Sequence, residues 1–197
     1  MITLNEKHKY EVNGKSYPGV SEIIEHFGFS DFSMVPDHIL QPAINFGNVV
    51  HEVVRLGELG DINNFNSDHS IIWQHWLDFK ESIDLKNCIV DLKSFKTPKL
   101  SNKLQIFGYK VLVETSKNSG LGMEEKLFSD LWKFCGKPDF YYGNKIRKLY
   151  ILTIPDLKGF DYNKNVFEYD QKIDVKYENY FKFMLSIYNL KKSEGLI

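Results

Sequence analysis

Cysteine is nearly missing from this chain. Two occur in 197 residues, Cys88 and Cys135, too few to supply the four ligands of an iron–sulfur cluster or a disulfide framework. A reducing, intracellular setting is therefore expected, in the cytoplasm. Long apolar runs are missing too. None approaches the roughly 18 residues a membrane span needs, and the first residues lack a secretory-signal pattern, so no membrane partner is expected. Charge of one sign is also absent: 25 Lys and Arg stand against 26 Asp and Glu, a formal net charge of −1. The molecule as a whole is no trap for polyanions, and a phosphate-binding surface has to be a local groove of Lys and Arg. Internal repeats and low-complexity stretches are lacking as well.

What is present is ordinary for a globular chain, 43% hydrophobic and 26% charged, and long enough to bury a real core. One domain is expected over 1–197, with a hairpin and helical part in 1–82 and a catalytic core with a C-terminal helix in 83–197. Lys9 to Val12 and Lys15 to Tyr17 flank Asn13-Gly14, the strongest short hairpin signal. Ser21 is placed to cap a helix that Gly28 stops. A second helix is expected from about Ile39 to Leu56, with Ile44, Val50, Val53 and Val54 on its apolar side. Trp73, Trp76, Leu77 and Lys80 outline a third. Cys88 to Lys93 reads as a short buried strand, followed by a helix from about Ser101 to Glu114 and a polar linker from Ser116 to Gly122. Lys126 to Ser129 and Trp132 to Cys135 read as paired strands, broken by Gly136-Lys137-Pro138-Asp139, with further strands at Phe140 to Tyr142 and Lys148 to Ile154. A final helix, from about Lys176 to Lys192, puts Tyr177, Tyr180, Phe181, Met184 and Tyr188 on one side, as core packing.

The chemistry starts at Asp91 and Lys93. Residues two apart on a strand share a face, so a carboxylate and an ammonium emerge side by side. The ordinary reading of such a pair is a surface ion pair at a strand end. A carboxylate there also suits Mg²⁺, which prefers oxygen ligands. Gln105 and Tyr109, four apart, share a helical face just downstream. Upstream, Gly47, His51 and Arg55 recur every four residues on another. A lone helix histidine is by default structural or exposed. Gly47 one turn earlier leaves room beside it, and Arg55 one turn later is in reach of a phosphate.

Ile89-Val90-Asp91-Leu92-Lys93-Ser94, followed by Leu104-Gln105-Ile106-Phe107-Gly108-Tyr109, closely resembles the third and fourth motifs of RecB-type nucleases of the PD-(D/E)XK superfamily. Tyr10 to Ile24, ending Tyr17-Pro18-Gly19-Val20-Ser21-Glu22-Ile23-Ile24, looks like the amino-terminal signature of phage exonucleases in that superfamily, as does Phe46-Gly47-Asn48-Val49-Val50-His51-Glu52. Gly136-Lys137-Pro138-Asp139-Phe140 resembles the second motif. Met123-Glu124-Glu125-Lys126-Leu127-Phe128-Ser129 resembles the first, with Glu124 at the best spacing and Glu125 its rival. The resemblance implies an α/β (α+β) fold of restriction-endonuclease type, a mixed central sheet flanked by helices. It implies Mg²⁺ or Mn²⁺ held by His51, Asp91, Glu124 and Asp139. Lys93 would support the attacking water, and Gln105 and Tyr109 would line the DNA-facing side.

The motif order departs from the family's. Relatives place the Glu and Gly-x-Pro-Asp segments first; here Asp-x-Lys and Gln/Tyr precede them, an internal permutation. A rival assignment keeps the usual order with Asp156-Leu157-Lys158, Gln171 and Tyr177. Pro155 sits where a central strand needs a donor, and Gln171 and Tyr177 are six apart, off a common helical face. The expected function is a metal-dependent deoxyribonuclease, an exonuclease acting on single-stranded or free DNA ends in phage DNA processing, recombination or replication, in the host cytoplasm. The motifs leave polarity, exo- against endonuclease action, and DNA against RNA open. The reading of a different class is a non-catalytic DNA-binding or assembly module on a decayed nuclease fold. Arg55, Lys99, Lys103 and Lys137 are the expected DNA contacts, with Lys145, Arg147 and Lys148 behind them. Trp132 and Tyr141 are candidates for base stacking, with core packing the stronger reading of each.

Overall fold

The computed structural model describes residues 1–5, 9–30, 34–118 and 120–197. Three short strands, β1 (Ile2–Leu4), β2 (Tyr10–Val12) and β3 (Lys15–Tyr17), lead into α1 (Val20–His26), α2 (Asp37–Glu58) and α3 (Ser67–Ser82). Strand β4 (Cys88–Lys93) and helix α4 (Leu100–Thr115) follow. Then come β5 (Leu121–Met123), β6 (Leu127–Ser129), β7 (Phe134–Gly136), β8 (Phe140–Tyr142) and β9 (Lys148–Thr153). The one-turn α5 (Tyr162–Asn165), β10 (Val166–Asp170) and α6 (Val175–Ser193) complete the chain's elements.

The central sheet has five strands in the order β10-β9-β4-β8-β5. Strand β4 runs parallel to β9 and antiparallel to β8, and the outer pairs are antiparallel, so the sheet is mixed. Both faces are covered, which is why β4 is buried along its length apart from Lys93. On one face, Ile89, Tyr141, Leu149 and Ile151 pack with residues of α1, α4 and α6. On the other, Cys88, Val90, Leu92, Phe140 and Leu152 pack with α2 and α3. The alternation along β4 is therefore clean, and it decides which way each polar side chain points. Residues 1–82 divide between the layers, α1 joining one and α2 with α3 the other.

Local chemistry accounts for several boundaries. Asn13 and Gly14 both have positive φ, 52° and 77°, the turn geometry that matches strand twist in a hairpin. Strand β1, which the sequence reading did not foresee, pairs with β2 in register Thr3 to Glu11. Helix α1 begins at Val20 behind an extended Gly19, so Ser21 lies inside the first turn and is not the cap. Ile44 is 44% exposed and Tyr180 56%, so neither belongs to the core stripe expected of its helix. Strands β6 and β7 do pair, but Trp132 and Lys133 lie in the turn between them and Gly136 within β7. Gly122, expected in the linker, sits in β5, and Ser119 of that linker lies outside the described residues. Strand β10 and α5 were also unforeseen. No helix among the described residues is long and apolar enough to cross a membrane.

Candidate metal centre and cleft

Strand β4 fixes the geometry. With Ile89 packed toward α4 and Leu92 toward α2 and α3, alternation turns Asp91 and Lys93 toward α4. Asp91 is 1% exposed. Its Oδ1 accepts a hydrogen bond from Lys93 Nζ at 2.8 Å, but its buried Oδ2 accepts one from no described residue. A buried carboxylate oxygen left without a donor is costly.

The second carboxylate comes from the start of β8. Val90 pairs with Phe140, and one step further the antiparallel register sets Asp139 opposite Asp91. Pro138 has no N–H to extend the ladder. Asp139 Oδ2 instead accepts the Leu92 N–H at 2.6 Å, completing the β4 edge with a side chain.

Helix α2 brings the histidine. His51 Nδ1 is 3.5 Å from Asp139 Oδ1 and 4.0 Å from Glu124 Oε1. Ligand atoms of His51, Glu124 and Asp139 all lie within 4.8 Å of one another. The space at Gly47 is taken by β4's flank: a Cβ there would sit 3.0 Å from Ser94 Oγ. A side chain there would need the Ser94 hydroxyl to give by a few tenths of an ångström. Glu124 has φ 48°, left-handed backbone that residues other than glycine seldom adopt, and its N–H donates to Asp139 O at 2.8 Å. Its Oε2 accepts from Lys137 Nζ at 3.1 Å. Glu125 turns the other way and accepts from the Tyr141 hydroxyl. Glu124 is thus the acid that meets His51 and Asp139.

Helix α4 closes the remaining side. Gln105 Nε2 donates to Tyr109 Oη at 3.1 Å and to Ser21 Oγ at 3.2 Å. Gly136 permits the approach of this helix, since a Cβ there would stand 2.7 Å from Leu112 Cδ2 and 3.2 Å from Tyr109 Cε1. His51, Asp91, Lys93, Gln105, Tyr109, Glu124, Lys137 and Asp139 together line one cleft of about 490 Å³. The permuted set of residues therefore converges in space.

The electrostatics are asymmetric. Burial pushes the Asp91 carboxyl well above the usual carboxylate range, Lys93 pulls against that, and the Asp139 charge adds to it. Burial works against the Lys93 ammonium, but Asp91 and Asp139 outweigh it and raise its pKa, so Lys93 is a cation at neutral pH. Burial, reinforced by the same two carboxylates, also raises the Tyr109 phenol well above its ordinary value. Four carboxylates line the cleft; with Glu52 tied to Arg55, Asp91, Glu124 and Asp139 are left to face two lysines, Lys93 and Lys137. The donor set, oxygens with one imidazole, and the orphaned Asp91 oxygen fit a hard divalent cation.

Other expected residues lie elsewhere. Arg55 forks onto Glu52 at 2.6 and 2.8 Å at the rim. Lys99 is exposed at the α4 N-cap. Lys103 Nζ sits over the Tyr169 and Tyr177 rings, 5.8 and 5.5 Å from their centroids, away from the cleft. Lys145, Arg147 and Lys148 lie at or before the start of β9, where Lys148 pairs with Glu168. That is the Cys88 end of β4, opposite Lys93. Tyr141 is fully buried and Trp132 packs against the core. The conventional-order alternative does not assemble. Asp156 and Lys158 occupy the turn after β9 and line a separate cavity, whereas the Gln171 N–H reaches Arg147 O at the other end of the sheet. Leu4, Tyr10, Ser21, Asn48 and Glu52 also line the cleft and were not foreseen as site residues. Asn48 had a signal, lying one turn before His51, and Glu52 had one only through its four-residue spacing from Asn48. Leu4 had none, since only tertiary pairing brings β1 there.

No family model, curated protein or solved structure matches the chain.

Proposed function

We propose that this protein is a divalent-metal-dependent deoxyribonuclease with a PD-(D/E)XK-type, restriction-endonuclease-like core, hydrolysing phosphodiester bonds at DNA ends. The observation that carries the reading is the gathering of His51, Glu124 and Asp139, ligand atoms within 4.8 Å of one another, in a cleft that Asp91 and Lys93 also line, with one buried Asp91 oxygen unpartnered among the described residues. Asp91, Asp139, Glu124 and His51 would hold Mg²⁺ or Mn²⁺. When bound, such an ion supplies Lewis acidity, neutralising charge on phosphoryl oxygens and acidifying water.

The chain's own groups have separable tasks. Lys93, protonated and 16% exposed at its side chain, donates hydrogen bonds to the attacking water or to a phosphoryl oxygen as charge develops there. Tyr109, its phenol kept neutral by burial and two carboxylates, is a hydrogen-bond donor beside the same position. Gln105 orients the Tyr109 hydroxyl and ties it to α1 through Ser21. Asp139 also acts on the backbone: by accepting the Leu92 N–H it locks β8 to β4 and so fixes the distance between two carboxylates. Lys137, held on Glu124, is placed to meet an incoming phosphate.

End-labelled DNA incubated with Mg²⁺ or Mn²⁺ should be degraded, and EDTA should stop it. Asp91→Ala should abolish cleavage while leaving a folded protein. Full activity in Asp91→Ala together with a dead Asp156→Ala would overturn the assignment.

A further inference from the structure

The cleft does not end at the carboxylates. Ser21, Lys93 and Gln105 also line a second cavity, of about 370 Å³, which continues past Phe95, Ser30 and Ser101 along the seam between α1 and α4. Beyond it, at the C-terminal end of α1 and the N-terminal end of α4, lies a third of about 320 Å³, walled by Phe27, Phe29, Leu100, Leu104, Tyr180 and Phe183. Phe29, Tyr180 and Phe183 are 42%, 56% and 66% exposed, and a cluster of exposed aromatic rings is not an ordinary surface. Ser21 and Phe27 are six residues apart on α1, roughly 9 Å along its axis, so the aromatic wall lies close to the carboxylates yet apart from them.

We propose that this seam is a track for a single nucleic-acid strand, whose unpaired bases stack on Phe29, Tyr180 and Phe183 while its phosphate lies at Lys93. The inference rests on the nuclease reading for the cleft and extends it to the form of the substrate. Continuity favours a strand over a protein segment, because the track opens directly beside Lys93 and Gln105. The track carries charge of both signs: Glu25 lines its middle, and at the wall Lys191 Nζ stands 5.9 Å from the Phe27 ring centroid, with His26 and no carboxylate as its partner among the described residues. Lys99 adjoins Leu100 and is exposed. Cations beside flat rings form the ordinary platform for single strands, which aromatic faces accept whatever the base. A duplex keeps its bases stacked on each other and gains nothing from the wall.

The test compares two probes in wild type and in Tyr180→Ser/Phe183→Ser. Fluorescein-labelled dT12 is bound with Ca²⁺ present, and thymidine 5′-p-nitrophenyl phosphate, which fills only the cleft, is hydrolysed with Mn²⁺. The double variant should bind dT12 roughly tenfold or more weakly, as expected for losing one or two stacked bases, bind a 12-base-pair duplex as wild type does, and hydrolyse the nitrophenyl ester unchanged. Phe183→Ser alone replaces the pair if circular dichroism shows a folding defect. Unchanged dT12 affinity alongside intact ester hydrolysis overturns the track and leaves the nuclease standing. A change confined to oligomeric state in light scattering also overturns it, making the wall a protein interface. Loss of dT12 binding in the variant with no hydrolysis by wild type upholds the track and sinks the nuclease reading.

Discussion

Two clusters of buried charge lie in this molecule, and they are built on opposite plans. Around Lys110 every group is satisfied. The lysine is 4% exposed and donates to Glu114 and Glu178 at 2.7 and 2.8 Å. Lys182 also donates to Glu178, and the Ile146 N–H takes the free oxygen of Glu114. Two lysines balance two carboxylates, and the result fastens α4 to α6. Around Asp91 the sum is uneven, with three carboxylates against two lysines and one oxygen that no described residue meets. Burial costs both clusters desolvation. The first recovers it fully within the chain; in the second Lys93 meets one Asp91 oxygen and no described residue meets the other.

That contrast can be broken most directly at the two central residues. Asp91→Asn should lower DNA cleavage on the order of 10³-fold or more, as losing a group at the reacting centre does. Its urea midpoint should equal or exceed that of wild type, because burial and the Asp139 charge raise the Asp91 pKa and so make its ionised form a cost to folding at neutral pH. Retained cleavage with lost stability would make the two clusters alike. Lys110→Met should do the reverse, costing about 3–5 kcal/mol in urea unfolding by stranding buried carboxylates, while the folded fraction cuts DNA normally. Mn²⁺ supplied at a hundredfold over its Kd should stabilise wild type and Lys110→Met alike by about 2.7 kcal/mol. Scanning fluorimetry would read that as a Tm rise of roughly 5–10 °C for a chain this size. The same rise in Asp139→Ala would move the ion elsewhere.

The smallest effect is a pH dependence. Burial works to raise the Glu178 pKa, but the Lys110 and Lys182 hydrogen bonds more than offset it, leaving it below its ordinary 4.5. A carboxylate depressed on folding stabilises fully above its unfolded value, and that stabilisation is lost as pH falls through the folded one. The Glu178 contribution should therefore hold from pH 7 to 5 and be lost below about 4.5, while Asp91, raised to about 6, adds stability as pH falls through that value. In Lys110→Met the part of that acid loss due to Glu178 should shrink.

Much of this was legible in the sequence because it rests on local periodicity. The Asn13-Gly14 turn, the alternation of β4 and the four-residue spacing of Gln105 and Tyr109 are rules of one strand or helix. The gathering of Asp91 and Asp139 needed a pairing register that joins Leu92 to Asp139, 47 positions on, and only a family resemblance supplied it. The choice of Glu124 over Glu125 was not legible, since it depends on one left-handed residue. Nor was β1, three residues long, with too few positions to show a period. Strand β10 did alternate, Phe167 and Tyr169 against Val166 and Glu168, and that signal was passed over. The lysines misled because a cation's place on a fold is not written in its neighbours: Lys103 went to two tyrosine rings instead of the cleft.

The central position of β4 also sets a timetable. Its partner strands, β8 and β9, both follow it, and Lys93 does not meet Thr153 until sixty more residues have been made. At roughly 5–20 residues per second of synthesis, that interval lasts about 3–12 seconds. For most of it β4 has both edges open, and Asp91 has no Asp139 beside it until 48 residues later. A ribosome carrying this chain therefore holds the residues of the cleft apart until β8 has been made.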